Sequence, residues 1–162
     1  MKFIKKVKIF NIGRYSELLR KSKILKNDKK FLFHENQEEY MELLCYQEMI
    51  SDWYFYQHRF EYYALIKNFL DLKIEQNIFI SKFLNLYNEN RKALKLLLED
   101  FERLRTSSIN ANSKRFSVVI DGIYEYWDNL DIHCDFEKSD VILEDEFKQY
   151  IKNILIDMQP YI

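Results

Sequence analysis

The chain has 162 residues, 48% hydrophobic and 31% charged, with 2 Gly and 1 Pro, a length that fits one domain with room for a core. Phosphate cradles and dinucleotide fingerprints need clustered glycines so that backbone can approach the ligand, and Gly13 and Gly122 stand alone, which excludes P-loop and Rossmann chemistry. The formal charge of -1 hides an asymmetry: residues 1–33 hold eleven bases against two acids (+9), whereas residues 34–162 hold 14 bases against 24 acids (-10). Surface potentials steer association even where they say nothing of fold, so this distribution points to charged partners.

A β-sandwich or barrel needs turn residues every 8 to 12 positions, which so few Gly and Pro cannot supply. The reading is all-α, an antiparallel bundle of about four to five helices with a basic N-terminal extension. Residues 1–33 form that basic arm, in which Lys5, Lys6 and Lys8 sit among apolar pairs and Tyr15 to Leu25 suggest a short helix. Residues 34–162 form the bundle. Asn36 is placed to cap a helix, with Glu39 three residues on completing a capping box. Apolar spacing predicts a long helix from Gln37 to about His58, a second from Phe60 to Leu72-Lys73, and a third from about Gln76 through Tyr87. Asn88-Glu89-Asn90 reads as an interruption before Leu94 to Leu104, and Thr106 to Ser113 as the loop.

A further helix over Lys114 to Leu130 can be checked by angle. With Val119 at zero, Ile123, Trp127 and Leu130 fall within about 80°, and Asp121, Glu125 and Asp128 between about 180° and 240°. One face is core and the other is a carboxylate stripe. The stretch 121–146 holds ten acids and one Lys, so it should repel nucleic acid and attract a basic protein. A last helix runs from Leu143 to Met158, with Glu144, Asp145 and Glu146 in its first turn, where the helix dipole favours acids, and Pro160 after its end.

Enzymatic chemistry finds no constellation. His133-Cys134-Asp135 has the residue types of a nucleophilic relay, but consecutive side chains point apart. No HxxxH, CxxC or ExxH spacing suggests a metal, and Glu38, Glu39 and Glu42 read as a wet helix face. Catalytic residues, metals and cofactors are therefore not expected. Cys45 and Cys134 lack disulfide-framework spacing and suit a reducing compartment. No apolar run nears the roughly 20 residues of a membrane span, and the first residues lack an uncharged signal-peptide core. The expected setting is the cytoplasm, or an organelle interior such as the plastid stroma. The aromatic content of 17% peaks in Trp53 to Tyr63, too dense for one helix face to bury. Trp53, Tyr54 and Tyr56 are thus alternative partner contacts, since large stiff rings suit interfaces.

The run Tyr62 to Tyr87, an apolar helix ending in Phe69-Leu70, a short polar turn and a Phe79-x-x-x-Phe83-Leu84 helix, resembles the opening of the bacterial colicin-D-like immunity proteins. Ile120 to Asp128, the acidic loop and Glu144-Asp145-Glu146-Phe147 are similar to that family's closing helices. The resemblance covers about residues 60–158. It implies a small antiparallel helical bundle that inhibits the basic catalytic domain of a tRNA-cleaving toxin, its acidic surface standing in for substrate phosphates. Asp121, Glu125, Asp128, Asp131 and Asp135 would carry the contact, with Trp127 supporting their helix from the core side. The alternative is a subunit of a larger bacterial or organellar complex, docking through its aromatic helix and basic arm. Direct nucleic-acid binding would be confined to that arm.

Overall fold

The computed structural model describes residues 9–109, 111–133 and 140–162. Their elements are α1 (Ile12–Asn27), α2 (Leu32–Glu35), α3 (Gln37–Gln57), α4 (Arg59–Leu70), α5 (Gln76–Leu97), α6 (Phe101–Thr106), α7 (Phe116–His133) and α8 (Asp140–Met158), with 3-10 turns at Ala111–Ser113 and Gln159–Tyr161. No strand occurs among the described residues, so the chain is an all-α bundle. The count exceeds four to five because α1 of the arm, the four-residue α2 and the six-residue α6 add to the long helices. One residue, His58, separates α3 from α4, and residues 98–100 separate α5 from α6.

The long helices follow their sequence signals closely. Asn36 caps α3, its Oδ1 accepting from the Glu39 N–H at 3.1 Å. The reciprocal half of the capping box is not made. The Asn36 N–H donates to the Leu32 carbonyl instead, and the Glu39 carboxylate turns to Lys21 and Arg14. The expected interruption at Asn88-Glu89-Asn90 is absent. The helix α5 continues through it because Asn90 is buried with partners, donating to the Tyr62 hydroxyl at 2.9 Å and accepting from Tyr54 at 3.4 Å. A buried amide with both ends occupied carries no desolvation penalty large enough to break a helix. At the other end of the chain α8 begins at Asp140 rather than Leu143, which moves Glu144, Asp145 and Glu146 into its second turn. Pro160 lies in the 3-10 turn that closes it.

The helix α3 is central, packing against α1, α2, α4, α5 and α7. That position explains its sequence: Leu43, Tyr46, Ile50 and Tyr54 are buried along one side and Phe55 on another. The aromatic run is divided at His58 and shared between two helices, so Tyr54, Phe55 and Tyr62 enter the core while Phe60 stays exposed. The rings then stack in series, Phe69 on Phe79, Phe79 on Phe83 and Phe83 on Tyr87. From Ile12 onward the basic arm contains a helix built into this core, with Tyr15 and Leu18 fully buried. The Tyr15 hydroxyl donates to the Leu98 carbonyl at 2.7 Å, tying α1 to the end of α5.

Scarce glycine has a visible consequence at helix ends. Left-handed backbone, where glycine is usual, is adopted by Lys29 (φ 59), Leu72 (φ 58) and Arg115 (φ 66). The bonds Lys30 N–H to Leu25 C=O and Lys73 N–H to Asn68 C=O complete the helix-ending turns around the first two. A side chain in this region costs about 1–2 kcal/mol. Gly122 serves a different purpose, inside α7. A Cβ there would meet the Tyr150 hydroxyl at 3.1 Å, and that hydroxyl donates to the Gly122 carbonyl at 2.8 Å, so the bare Cα lets α8 approach α7.

Candidate partner-binding surface

The outer side of α7 is held in place by an acid that the sequence reading passed over. Asp52 of α3 is 4% exposed and accepts from the Arg115 N–H at 2.6 Å, the Ser117 N–H at 3.0 Å and the Ser117 hydroxyl at 2.6 Å. A helix N-terminus leaves its first N–H groups without intrahelical partners and carries positive partial charge. A carboxylate supplied from another helix satisfies both needs, and it fixes where α7 starts against α3. The only sequence sign of this role was a lone Asp inside the apolar stretch Met49 to Tyr56.

With that start fixed, Phe116, Ile120 and Ile123 are buried and the opposite face carries the predicted carboxylates. Glu125 and Asp128 are exposed, and neither has a hydrogen bond or ion pair among the described residues. Asp121 differs. It is half-buried and its Oδ1 accepts from the Tyr87 hydroxyl of α5 at 2.6 Å, so it serves the α5–α7 contact. Burial, and then that hydrogen bond, push the Tyr87 hydroxyl well above the ordinary tyrosine range. Tyr124 stacks on Tyr87 with centroids 4.8 Å apart, and Arg91 donates to the Tyr87 hydroxyl at 3.3 Å. These groups line a shallow groove of about 270 Å³ that Glu125 borders. Trp127 is half-buried against the core, as expected. The side chain of Asp131, and Asp135 altogether, lie outside the described residues, as do Cys134 and the side chain of His133.

Packing removes Tyr54 from the alternative aromatic surface. Tyr54 is only 5% exposed, with its ring against Phe55 and His58, so it has no face to offer a partner. Trp53 is half-buried against the core. Tyr56 is half-buried too, covered by the Arg59 guanidinium 3.9 Å above its ring and edge-on to Phe116 and Tyr161. Lys5, Lys6 and Lys8 lie outside the described residues.

Three bases of the arm, Arg14, Lys21 and Lys23, are engaged within the protein. Arg14 forms a fork with Glu42, with Nε at 3.1 Å and Nη2 at 2.9 Å from Oε2, and also reaches Glu17 and Glu39. Lys21 pairs with Glu39, and Lys23 with Glu99 at 2.9 Å. The hydrogen bond from Lys21 and the charge of Arg14 hold the Glu39 carboxyl below the usual carboxylate range. Glu39 and Glu42, read from sequence as a wet face, are thus the docking face for α1. Among the described residues no group of three His, Cys, Asp or Glu side chains could hold a metal, and no helix is long and apolar enough to cross a membrane. Comparison with known proteins found no matching family model, no matching curated protein and no matching solved structure.

Proposed function

We propose that the protein is a non-enzymatic binding protein that receives a basic partner on the outer face of α7. The observation that supports this is the contrast in pairing. The acids of α3 that face α1 are matched by Arg14 and Lys21, whereas Glu125 and Asp128 stand exposed and form no ion pair among the described residues, Arg91 across the groove from Glu125 turning to the Tyr87 hydroxyl instead. Natural exposed helices usually interleave charges of both signs, and an unmatched carboxylate stripe attracts a cationic surface over a Debye length. In the reading that the colicin-D-like resemblance implies, that surface is the cleft of a tRNA-cleaving toxin domain, and the stripe occupies the place of substrate phosphates. Asp121 then positions α7 rather than touching the partner.

The test is inhibition of a tRNA-cleaving domain of the colicin-D type by the intact chain and by a Glu125→Lys, Asp128→Lys variant. Both positions are exposed, so the fold should survive the exchange. Charge complementarity acts mainly on encounter and specificity. The double reversal should therefore weaken inhibition by roughly tenfold or more at low salt, and the wild-type affinity should fall steeply as salt rises. Equal inhibition by both proteins would sink the acidic-mimic reading. The alternative of a docking subunit in a larger complex loses Tyr54 as an anchor and retains the half-buried Trp53 and Tyr56 together with the basic arm.

A further inference from the structure

The end of α1 and the short helix α2 hold a feature independent of the α7 reading. Two phenylalanines that a folded chain would normally cover are open to solvent, Phe31 at 62% and Phe33 at 45% exposure. They do not stand singly. Phe31 and Phe33 both meet the His34 ring edge-on, with centroids at 6.2 and 5.4 Å, and Phe33 meets Tyr40 of α3 in the same manner at 5.4 Å. These rings border a groove of about 400 Å³, which Lys26 and Lys30 also line. Neither lysine, nor Lys29 between them, has an acid within ion-pair distance among the described residues. This separates them from Arg14, Lys21 and Lys23, which are paired. Over residues 20–35 six bases face two acids, Asp28 and Glu35.

We propose that this groove binds single-stranded nucleic acid, a base stacking on an exposed face of Phe31 or Phe33 in the cluster they form with His34 and Tyr40 while Lys26 and Lys30 take the adjoining phosphates. Three observations select this occupant. The charge is complementary to a phosphate backbone, and the cations are free to engage it. Aromatic rings beside those cations match the combination by which proteins hold single strands, since every base has a face that stacks on a ring. The surface is also concave. A bilayer is met by rings that project from a helix face into the headgroup boundary, whereas these rings are packed edge-on against one another and line a recess. A duplex cannot use the recess, because its bases are already stacked and paired. The groove crosses the boundary drawn from sequence at residue 33, so the nucleic-acid contact is shared between the arm and the first residues of the bundle.

Fluorescence anisotropy of a labelled oligouridine of about twelve nucleotides, titrated with the full chain, tests this. Each phosphate contact on a single strand contributes about 0.7 to the slope of log affinity against log salt. Lys26→Gln with Lys30→Gln should lower that slope by about 1.4. Phe31→Ala with Phe33→Ala should weaken binding roughly tenfold or more at unchanged slope, the size expected of lost stacking. All four side chains lie at the surface, and circular dichroism of each variant checks that the helices persist. Weaker binding of a duplex of the same length is also expected. Equal affinity for duplex and single strand would overturn the proposal, as would an unaltered affinity in the phenylalanine variant. Sedimentation with phosphatidylserine vesicles, abolished by the same phenylalanine substitutions in a chain that does not bind the oligouridine, would assign the groove to a membrane surface instead.

Discussion

Three cations of α1 and the exposed carboxylates of α7 come from the two charged stretches that cancel in the sequence sum, and the structure treats them in opposite ways. Along α1, Arg14, Lys21 and Lys23 each find acids on other elements, Glu39, Glu42 and Glu99. Along α7, Asp121 has a phenol partner, whereas Glu125 and Asp128 have none among the described residues. Part of the cancellation is thus an internal ion-pair network that fastens one helix, and part is two separated surfaces whose charges form no ion pairs among the described residues. A charge imbalance in sequence cannot distinguish these cases, because it counts charges without recording which ones fold against each other.

The largest expected effect probes how α7 is held. Asp52→Ala would leave two backbone N–H groups and a buried hydroxyl without an acceptor. Unsatisfied buried donors cost about 1–3 kcal/mol each at most, and a charged acceptor adds to that. A loss of roughly 2–4 kcal/mol in urea unfolding is expected, and a loss under about 0.5 kcal/mol would show that α7 is positioned by core packing alone.

Next in size is the α1 network. Arg14→Ala should cost about 1 kcal/mol, since several half-exposed partners share the guanidinium and solvent screens each of them. The pH dependence has a definite sign. The folded-state pKa of Glu39 is depressed by Lys21 and Arg14, so its contribution is present above the ordinary carboxylate value of about 4.3 and is lost as pH falls through the folded value. The stability difference between wild type and Glu39→Gln should accordingly be constant near neutrality and vanish in acid. A difference that grew below about pH 4 would contradict the assigned pairing.

The smallest effect is the informative opposite. Glu125→Gln with Asp128→Asn should change stability by no more than about 0.5 kcal/mol, as for surface residues with no partner, although both carboxylates are central to the proposed contact. If these substitutions destabilised the fold as much as Arg14→Ala, the two surfaces would not differ in kind. The stripe would then be structural.

Much of the fold was legible because helix signals are local. Apolar periodicity and the Asn36 cap predicted α3 to within one residue of its end, and the break expected after Leu72-Lys73 falls within residues 71–75, which separate α4 from α5. What failed was any inference that required knowing a neighbour. Asn90 looked like a helix breaker until Tyr62 and Tyr54 were found against it. Tyr54 looked available for a partner because the aromatic run exceeds what one face can bury, yet α3 is buried on more than one side. Of the candidate site, the angular position of Glu125 and Asp128 was readable from the 100° rotation per residue. The diversion of Asp121 to Tyr87 was not, since it depends on where α5 lies.

Composition and periodicity by themselves determined that this chain is helical, Gly-poor and divided into a basic and an acidic half. That left-handed backbone falls to Lys29, Leu72 and Arg115 in a chain with two glycines is seen only in the folded chain. Tertiary structure decided which charges are internal partners, which acid caps α7, and which rings form an open groove beside Lys26 and Lys30. The physical reason is range: helix formation depends on residues three or four apart, whereas pairing and exposure depend on elements brought together from distant positions in the chain.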